Sequence, residues 1–317
     1  MTLRETVSFL KESDNFIILT HRRPDGDTVG SASALCRGLR GIGKCAYLSD
    51  NDGVTRRLAP FAEGLFAPEG YTPDTVIAVD IADEKLFCAS DGHYCGKVDL
   101  CIDHHPTNTQ YARHLLLDQG EAATGAIVWQ LIGEIGADKT REICNAVYLA
   151  IATDTGCFKY SNTTPLCHRA AAECIELGAD FHPINTAFFV VKTPARLALE
   201  SEMFGSLVMS ECSRACIAVI SRDFIERTQA DMDDLDNLSS LLMQLEQIKV
   251  GGLLTENKQR GTYKLSVRSR APVNAAAVCA KFDGGGHARA AGGSLSGSRE
   301  DCVSALMQAM TEELSNV

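Results

Sequence analysis

Nothing in the 317 residues resembles a membrane span, because no run of about 18 apolar residues occurs. The opening stretch, Met1-Thr2-Leu3-Arg4-Glu5, mixes charges where a signal peptide would hold an apolar core, so the expected location is cytoplasmic. The C-x-x-C spacing is missing, although the chain has 13 cysteines. That number is odd, and Cys36, Cys101, Cys144, Cys174 and Cys279 fall inside apolar or helical patterns. Reduced core thiols are expected, rather than a disulfide framework or a structural zinc site. Excess positive charge is missing too. The 30 Lys and Arg face 41 Asp and Glu, a net charge of −11, which argues against a broad electrostatic grip on duplex DNA. It leaves open a small anionic substrate held by metals and a few local arginines. Internal repeats and a disordered tail are absent as well.

What is present is a regular alternation of apolar runs. The length predicts two domains. Strands are expected at 15–20, 44–49, 75–79, 98–102 and 114–118, and a short one at 158–161. Helices are expected at 2–14, 31–39, 125–135, 140–152 and 165–177. Strands that alternate with helices predict an α/β fold, a doubly wound parallel sheet over residues 1–190. A linker is expected at 191–205 and a smaller α/β domain at 206–317. In that domain 215–220, 250–254 and 263–267 read as strands, and 236–246, 273–282 and 300–314 as helices. The cleft between the domains is the expected place for a substrate. Asp231, Asp233, Asp234 and Asp236 read as acids favoured at a helix start, and Trp129 and Phe282 as core aromatics.

Three apolar runs end on chemistry. Phe16 to Thr20 runs into His21-Arg22-Arg23-Pro24-Asp25-Gly26-Asp27, Thr75 to Val79 into Asp80, and Val98 to Ile102 into Asp103-His104-His105. The helix ending near Ala152 delivers Asp154. Carboxyl ends of strands in open α/β sheets are where ligands bind. His21, Asp25, Asp27, Asp80, His104 and Asp154 are four carboxylates and two imidazoles. That set suits a pair of divalent ions such as Mn²⁺ better than a thiolate-bound zinc. Asp25 and Asp27 can each face a different ion, and Asp80, arriving from a middle strand, can bridge both. Two ions so placed can share a water, lower its pKa and clamp a phosphoryl group. His105 is then expected beside the metals as a proton or hydrogen-bond donor, with Asp103 orienting a histidine.

In the second domain, Gly284-Gly285-Gly286 exposes backbone N–H groups, and His287 and Arg289 can donate to phosphate. Arg268 and Ser269 are further candidates for anion contact.

Taken together, these motifs resemble the DHH phosphoesterase family with its DHH-associated C-terminal domain. The matching residues are His21 to Ser31, Val79-Asp80, Asp103-His104-His105 and Thr153-Asp154-Thr155-Gly156, then Val267-Arg268-Ser269 and Gly284 to Gly292. The resemblance implies a hydrolase with two Mn²⁺ ions, for which Mg²⁺ or Co²⁺ are substitutes. One ion would be held by His21, Asp25 and Asp80, the other by Asp27, Asp80, His104 and Asp154. His105 would contact the reacting phosphate, and the glycine-rich loop would hold the rest of the substrate. Size and layout resemble the short members that degrade nanoRNA and dephosphorylate 3′-phosphoadenosine 5′-phosphate. Substrates expected on that basis are short RNA oligonucleotides, linear dinucleotides and nucleoside bisphosphates, and a homodimer is implied. Alternatives are a cyclic-di-AMP or linear-dinucleotide phosphodiesterase, or a non-hydrolytic nucleotide-binding module. One departure is Glu121-Ala122-Ala123-Thr124-Gly125-Ala126, where relatives often show more hydroxyl residues and an acid, and it leaves substrate preference open.

Overall fold

The apolar runs at the start of the chain form strands buried on both faces, as a parallel sheet requires. The computed structural model describes residues 1–235 and 237–316. Two units are distinct, Met1–Val191 and Lys192–Val317. The first contains α1 (Leu3–Glu12), β1 (Phe16–Leu19), α2 (Gly26–Gly41), β2 (Ala46–Leu48), α3 (Ala59–Ala62), β3 (Thr75–Val79), β4 (Leu100–Asp103) and β5 (His114–Leu117). It continues with α4 (Thr124–Ile135), α5 (Arg141–Asp154), α6 (Pro165–Glu176) and α7 (Phe181–Asn185). Among the described residues its sheet runs β2-β1-β3-β4-β5, all parallel. Side chains alternate between faces along each strand. Phe16, Ile18, Ile77, Val79, Leu100 and Ile102 join the core shared with α2, α4 and α5. Ile17, Leu19, Val76, Ala78 and Cys101 pack on the other face with Ile81, Phe87 and Val98. The α/β architecture with a parallel sheet is the one expected from the sequence.

Helix starts follow their caps. Thr2 and Glu5 close a capping box on α1, and Thr140 and Thr164 cap α5 and α6 through their hydroxyls. Helix α4 is different, because its cap residue is Ala123, which has no side chain to offer.

The second unit contains α8 (Pro194–Gly205), β6 (Val208–Met209), β7 (Ala215–Ile220), α9 (Arg222–Thr228), α10 (Met232–Leu235), β8 (Val250–Glu256) and β9 (Thr262–Ser269). Then come α11 (Ala275–Ala280), β10 (Gly285–Gly286), β11 (Ala290–Ser296) and α12 (Arg299–Ser315). Its sheet runs β10-β11-β9-β8-β7-β6, with β7 and β8 parallel and the other pairs antiparallel. One face packs on α11 and α12, the other on α8 and α9.

Several local expectations need correction. Residues 158–161 are not a strand but a turn, in which Cys157 and Phe158 have φ of +57° and +63° and the amides of Lys159 and Tyr160 fold back onto the Thr155 carbonyl. Most of the stretch expected as a linker, 191–205, is the helix α8. In the expected helix 236–246, Leu238–Gln244 is a 3₁₀ helix, and Asp236 lies outside the described residues. Asp233 and Asp234 do stand in the first turn of a helix, α10, as expected, and Asp234 is also buried, its carboxylate accepting from the Thr193 hydroxyl and the Asp231 amide. Among the described residues no helix is long and apolar enough to cross a membrane.

Candidate metal centre

The parallel sheet sends the ends of β1, β3 and β4 to one edge, and α2 and α5 add their termini there. His21 follows β1, Asp80 follows β3, and His104 and His105 follow β4. Asp25 is the cap of α2, Asp27 lies in its first turn, and Asp154 is the last residue of α5. Asp80 has φ of +61°, which turns the chain sharply as β3 ends. That conformation is uncommon for a non-glycine residue and least costly for Asp or Asn.

The ligand-type atoms converge in two overlapping groups. In the first, His21 Nε2 stands 3.7 Å from Asp25 Oδ2 and 3.8 Å from Asp80 Oδ2. In the second, His104 Nε2 stands 3.8 Å from Asp27 Oδ2, 3.6 Å from Asp80 Oδ1 and 3.4 Å from Asp154 Oδ2. The two oxygens of Asp80 therefore face different groups. Atoms bound to one ion at about 2.0–2.2 Å lie roughly 3–3.5 Å from each other, close to these separations. All six candidate ligands are gathered, and His105 stands beside them with Nδ1 3.6 Å from Asp80 Oδ1.

One atom tests the fit of a cation directly. His104 Nδ1 faces the Glu121 carbonyl at 3.1 Å, and to hydrogen-bond there it must carry the proton. Nε2 then presents a bare lone pair, and it is buried without a hydrogen-bond partner. A lone pair aimed at three carboxylates is repulsive unless a positive ion lies between them. Asp80 and Asp154 report the same imbalance. Burial raises the pKa of Asp80 far above the usual carboxylate range, and Asp27, Asp25 and Asp154 raise it further. Burial likewise raises Asp154, with help from Asp27 and Asp25. The donor set fits divalent cations.

Of the side chains around these residues, Thr124 and Asn108 were invisible to motif reading, whereas Asp103 lies where the sequence expects it, orienting His105. Asp27 is fully buried and accepts from Ser31 Oγ at 2.8 Å, from the Thr124 amide at 2.7 Å and from the Gly125 amide at 2.9 Å. The carboxylate from α2 thus caps α4, which explains how that helix manages with Ala123. The Thr124 hydroxyl also donates to Asp80 Oδ1 at 2.8 Å. Asp103 accepts from His105 Nδ1 at 2.7 Å and from Asn108 Nδ2 at 2.6 Å. A local sequence signal for Thr124 is an apolar helix that starts without a cap of its own. Replacing Thr124 with valine keeps the shape and removes the hydroxyl. Removal of such a supporting hydrogen bond typically weakens metal affinity about 10–100-fold. Titration of Mn²⁺ into metal-free Thr124→Val is expected to show that loss, and an unchanged affinity would deny Thr124 any part in positioning Asp80.

The second-unit candidates lie together but are engaged internally. Gly285 and Gly286 pair with Gly292 and Ala291, and a β-carbon on Gly284 would stand 2.4 Å from the Gly292 carbonyl oxygen. The Ser269 hydroxyl lies 2.8 and 2.9 Å from the carbonyls of Val273 and Ala288. Arg289 donates to the Val273 carbonyl, and Arg268 to the Val267 carbonyl. His287 and Arg289 are exposed at the tip of this hairpin.

Comparison with known proteins follows the same division. The model of the DHH family, N-terminal domain, matches residues 15–151, and that of the DHHA1 domain matches residues 214–316. The bifunctional oligoribonuclease and PAP phosphatase NrnA of Thermus thermophilus is 31% identical over 300 residues, covering 94% of this chain and 89% of that protein. An exopolyphosphatase-related protein from Bacteroides fragilis shares the fold, with a TM-score of 0.86 at 20% identity over 98% of this chain and 95% of that one. RecJ of Thermus thermophilus, solved in complex with Mn²⁺, has a TM-score of 0.60 at 15% identity, over 99% of this chain and 55% of that one.

Proposed function

This chain belongs to the DHH family, with a DHHA1 domain after the DHH domain, and is a phosphoester hydrolase; we propose that it uses two divalent ions, manganese first, to hydrolyse short oligoribonucleotides and 3′-phosphoadenosine 5′-phosphate. In this reading, residues 1–190 are the catalytic domain and 206–317 bind the remainder of the substrate through Arg268, Ser269, Gly284, Gly285, Gly286, His287 and Arg289. The observation that carries it is the unpartnered His104 Nε2 among Asp27, Asp80 and Asp154. The relative from Thermus, named as an oligoribonuclease and PAP phosphatase, supports the substrate class. The RecJ complex supports manganese.

His21, Asp25 and Asp80 would hold one ion, and Asp27, Asp80, His104 and Asp154 the other. Bound there, a pair of divalent ions supplies Lewis-acid chemistry, easing deprotonation of a water and neutralising phosphoryl charge. The chain's own contribution is positional and acid–base. Thr124, Ser31 and the start of α4 hold Asp27 and Asp80 in place. His105 directs Nδ1 to Asp103, which leaves Nε2 for the substrate. Burial opposes a charge on His105, but the hydrogen bond and charge of Asp103 outweigh it and raise the pKa. A protonated His105 can then give its proton to the leaving oxygen.

That assignment fixes the sign of a pH effect. An acid catalyst must be protonated, so activity falls as pH rises through the His105 pKa. Asp103→Asn removes the charge that raises it, and the alkaline limb of kcat is expected to move to lower pH. A limb that stays in place would take His105 out of the proton transfer.

The direct test is a product assay with Mn²⁺ on di- to pentanucleotides and on 3′-phosphoadenosine 5′-phosphate. Mononucleotides and phosphate are the expected products. No turnover of any of them would overturn the substrate assignment.

A further inference from the structure

His104 and Asp154 arrive from different elements, the end of β4 and the end of α5. Their ligand-type atoms nonetheless stand 3.4 Å apart, the shortest of the three separations around His104 Nε2. Behind His104, the Glu121 carbonyl takes the Nδ1 proton at 3.1 Å and so makes Nε2 the free donor atom. Where that carbonyl lies is decided by the segment Glu121-Ala122. Two side chains from the connection between α5 and α6 bind this segment. The Thr164 hydroxyl donates to Glu121 Oε2 at 3.2 Å, and Asn162 Nδ2 donates to the Ala122 carbonyl at 3.4 Å. Asn162 Nδ2 donates as well to the Asp154 carbonyl, at 3.1 Å.

One amide thus spends its two hydrogens joining the segment that orients His104 to the residue that carries the Asp154 carboxylate. Turned over, the amide would set its oxygen against two carbonyl oxygens, so its neighbours fix which way it points. The turn that bears it is held at both ends. The Thr155 carbonyl accepts from the amides of Lys159 at 2.9 Å and Tyr160 at 3.0 Å, and its hydroxyl accepts from the Phe158 amide at 3.0 Å. At the far end the Thr163 amide donates to the Tyr160 carbonyl at 3.1 Å, and the Thr164 hydroxyl caps α6. Asn162 is itself exposed, so packing does not demand an amide there. Water could satisfy either carbonyl alone. Only a donor anchored in the chain can hold main-chain groups 40 and 8 residues away at one spacing.

We propose that Asn162 is a positioning residue for one of the two ions: it keeps the carbonyl that sets the His104 tautomer in register with Asp154. The proposal rests on the two-ion reading and assigns Asn162 to one site of the pair. His21 and Asp25, which belong to the other site alone, follow β1 and cap α2, so that site is the internal control.

The test uses the metal-free full chain, wild type and Asn162→Ala. Mn²⁺ is titrated in while the free ion is followed by electron paramagnetic resonance. The ring nitrogens of His104 are observed by NMR without metal, above the pH at which imidazole is charged. Wild type is expected to bind two ions and to keep the His104 proton on Nδ1. In Asn162→Ala one ion should bind about 10–100-fold more weakly, the usual effect of losing such a support, while the other is unchanged. The His104 ring should become a mixture of tautomers, and the melting temperature in chelator should stay close to wild type. Equal weakening of both ions, affinities that match wild type, an unchanged tautomer or a collapsed fold would each overturn the proposal. Wild type that binds fewer than two ions would remove the two-ion reading itself, and the role of Asn162 with it.

Discussion

Asp80→Asn is expected to lower phosphoester hydrolysis by about a thousandfold or more while making the metal-free protein more stable. The two effects share one cause. Asp80 is 3% exposed and faces Asp27, Asp25 and Asp154. Its folded pKa lies well above the ordinary carboxylate value, so the folded state binds this proton more tightly than the unfolded state. Above the unfolded value a charged Asp80 therefore subtracts stability, and acidification through the raised pKa restores it. Asparagine removes the charge without new strain, because it tolerates φ of +61° and its oxygen can still accept from Thr124. A gain of about 1–2 kcal/mol without metal is typical when a strained functional acid is neutralised. With Mn²⁺ the order should reverse, because wild type gains about 2.7 kcal/mol at an ion concentration 100 times Kd and the variant loses that share. Melting curves in chelator and in Mn²⁺, beside a turnover assay, read the crossing. A variant that is less stable without metal would mean Asp80 is a structural acid.

How much of this was legible follows from distance along the chain. His21, Asp25, Asp27, Asp80, His104 and Asp154 were readable because each sits where an apolar run or helix stops, and a parallel sheet sends strand ends to one edge. Thr124 was not, because its contact with Asp80 crosses 44 residues and no local pattern encodes it. Residues 158–161 alternate like a strand, yet a glycine with positive φ before them bends the backbone the other way. In the second unit the strands were visible, but alternation carries no strand order, so the single parallel pair β7–β8 within an antiparallel sheet was not. Ser269 and Arg289 were legible as polar groups near a glycine run. That they hold the carbonyls of Val273 and Ala288 depends on a turn whose shape the sequence alone does not specify.

The spacing of the centre is set by packing beneath it, and Gly30→Ala is the substitution that tests this. In an open helix interior, alanine for glycine gains up to about 1 kcal/mol. At Gly30 the new β-carbon would stand 2.4 Å from the Ala146 carbonyl oxygen and 3.0 Å from Ala150 Cβ, both on α5. Those atoms belong to backbone or to a side chain with no freedom, so α2 and α5 must part. Overpacking of this kind costs about 3 kcal/mol, and the net loss is expected near 2 kcal/mol in urea unfolding. Gly125, at the start of α4, meets Ala150 Cβ in the same way, at 2.4 Å, so three helices share this junction. Asp27 lies three residues before Gly30, and Asp154 four after Ala150. Parting the helices therefore separates two proposed ligands, and Mn²⁺ affinity should fall together with stability. Gly41→Ala, on the same helix, meets only Ala137 Cβ at 3.9 Å and should gain about 0.5–1 kcal/mol with Mn²⁺ affinity unchanged. If Gly30→Ala behaved like Gly41→Ala, the close contact of α2 with α5 would not be what sets the distance between Asp27 and Asp154.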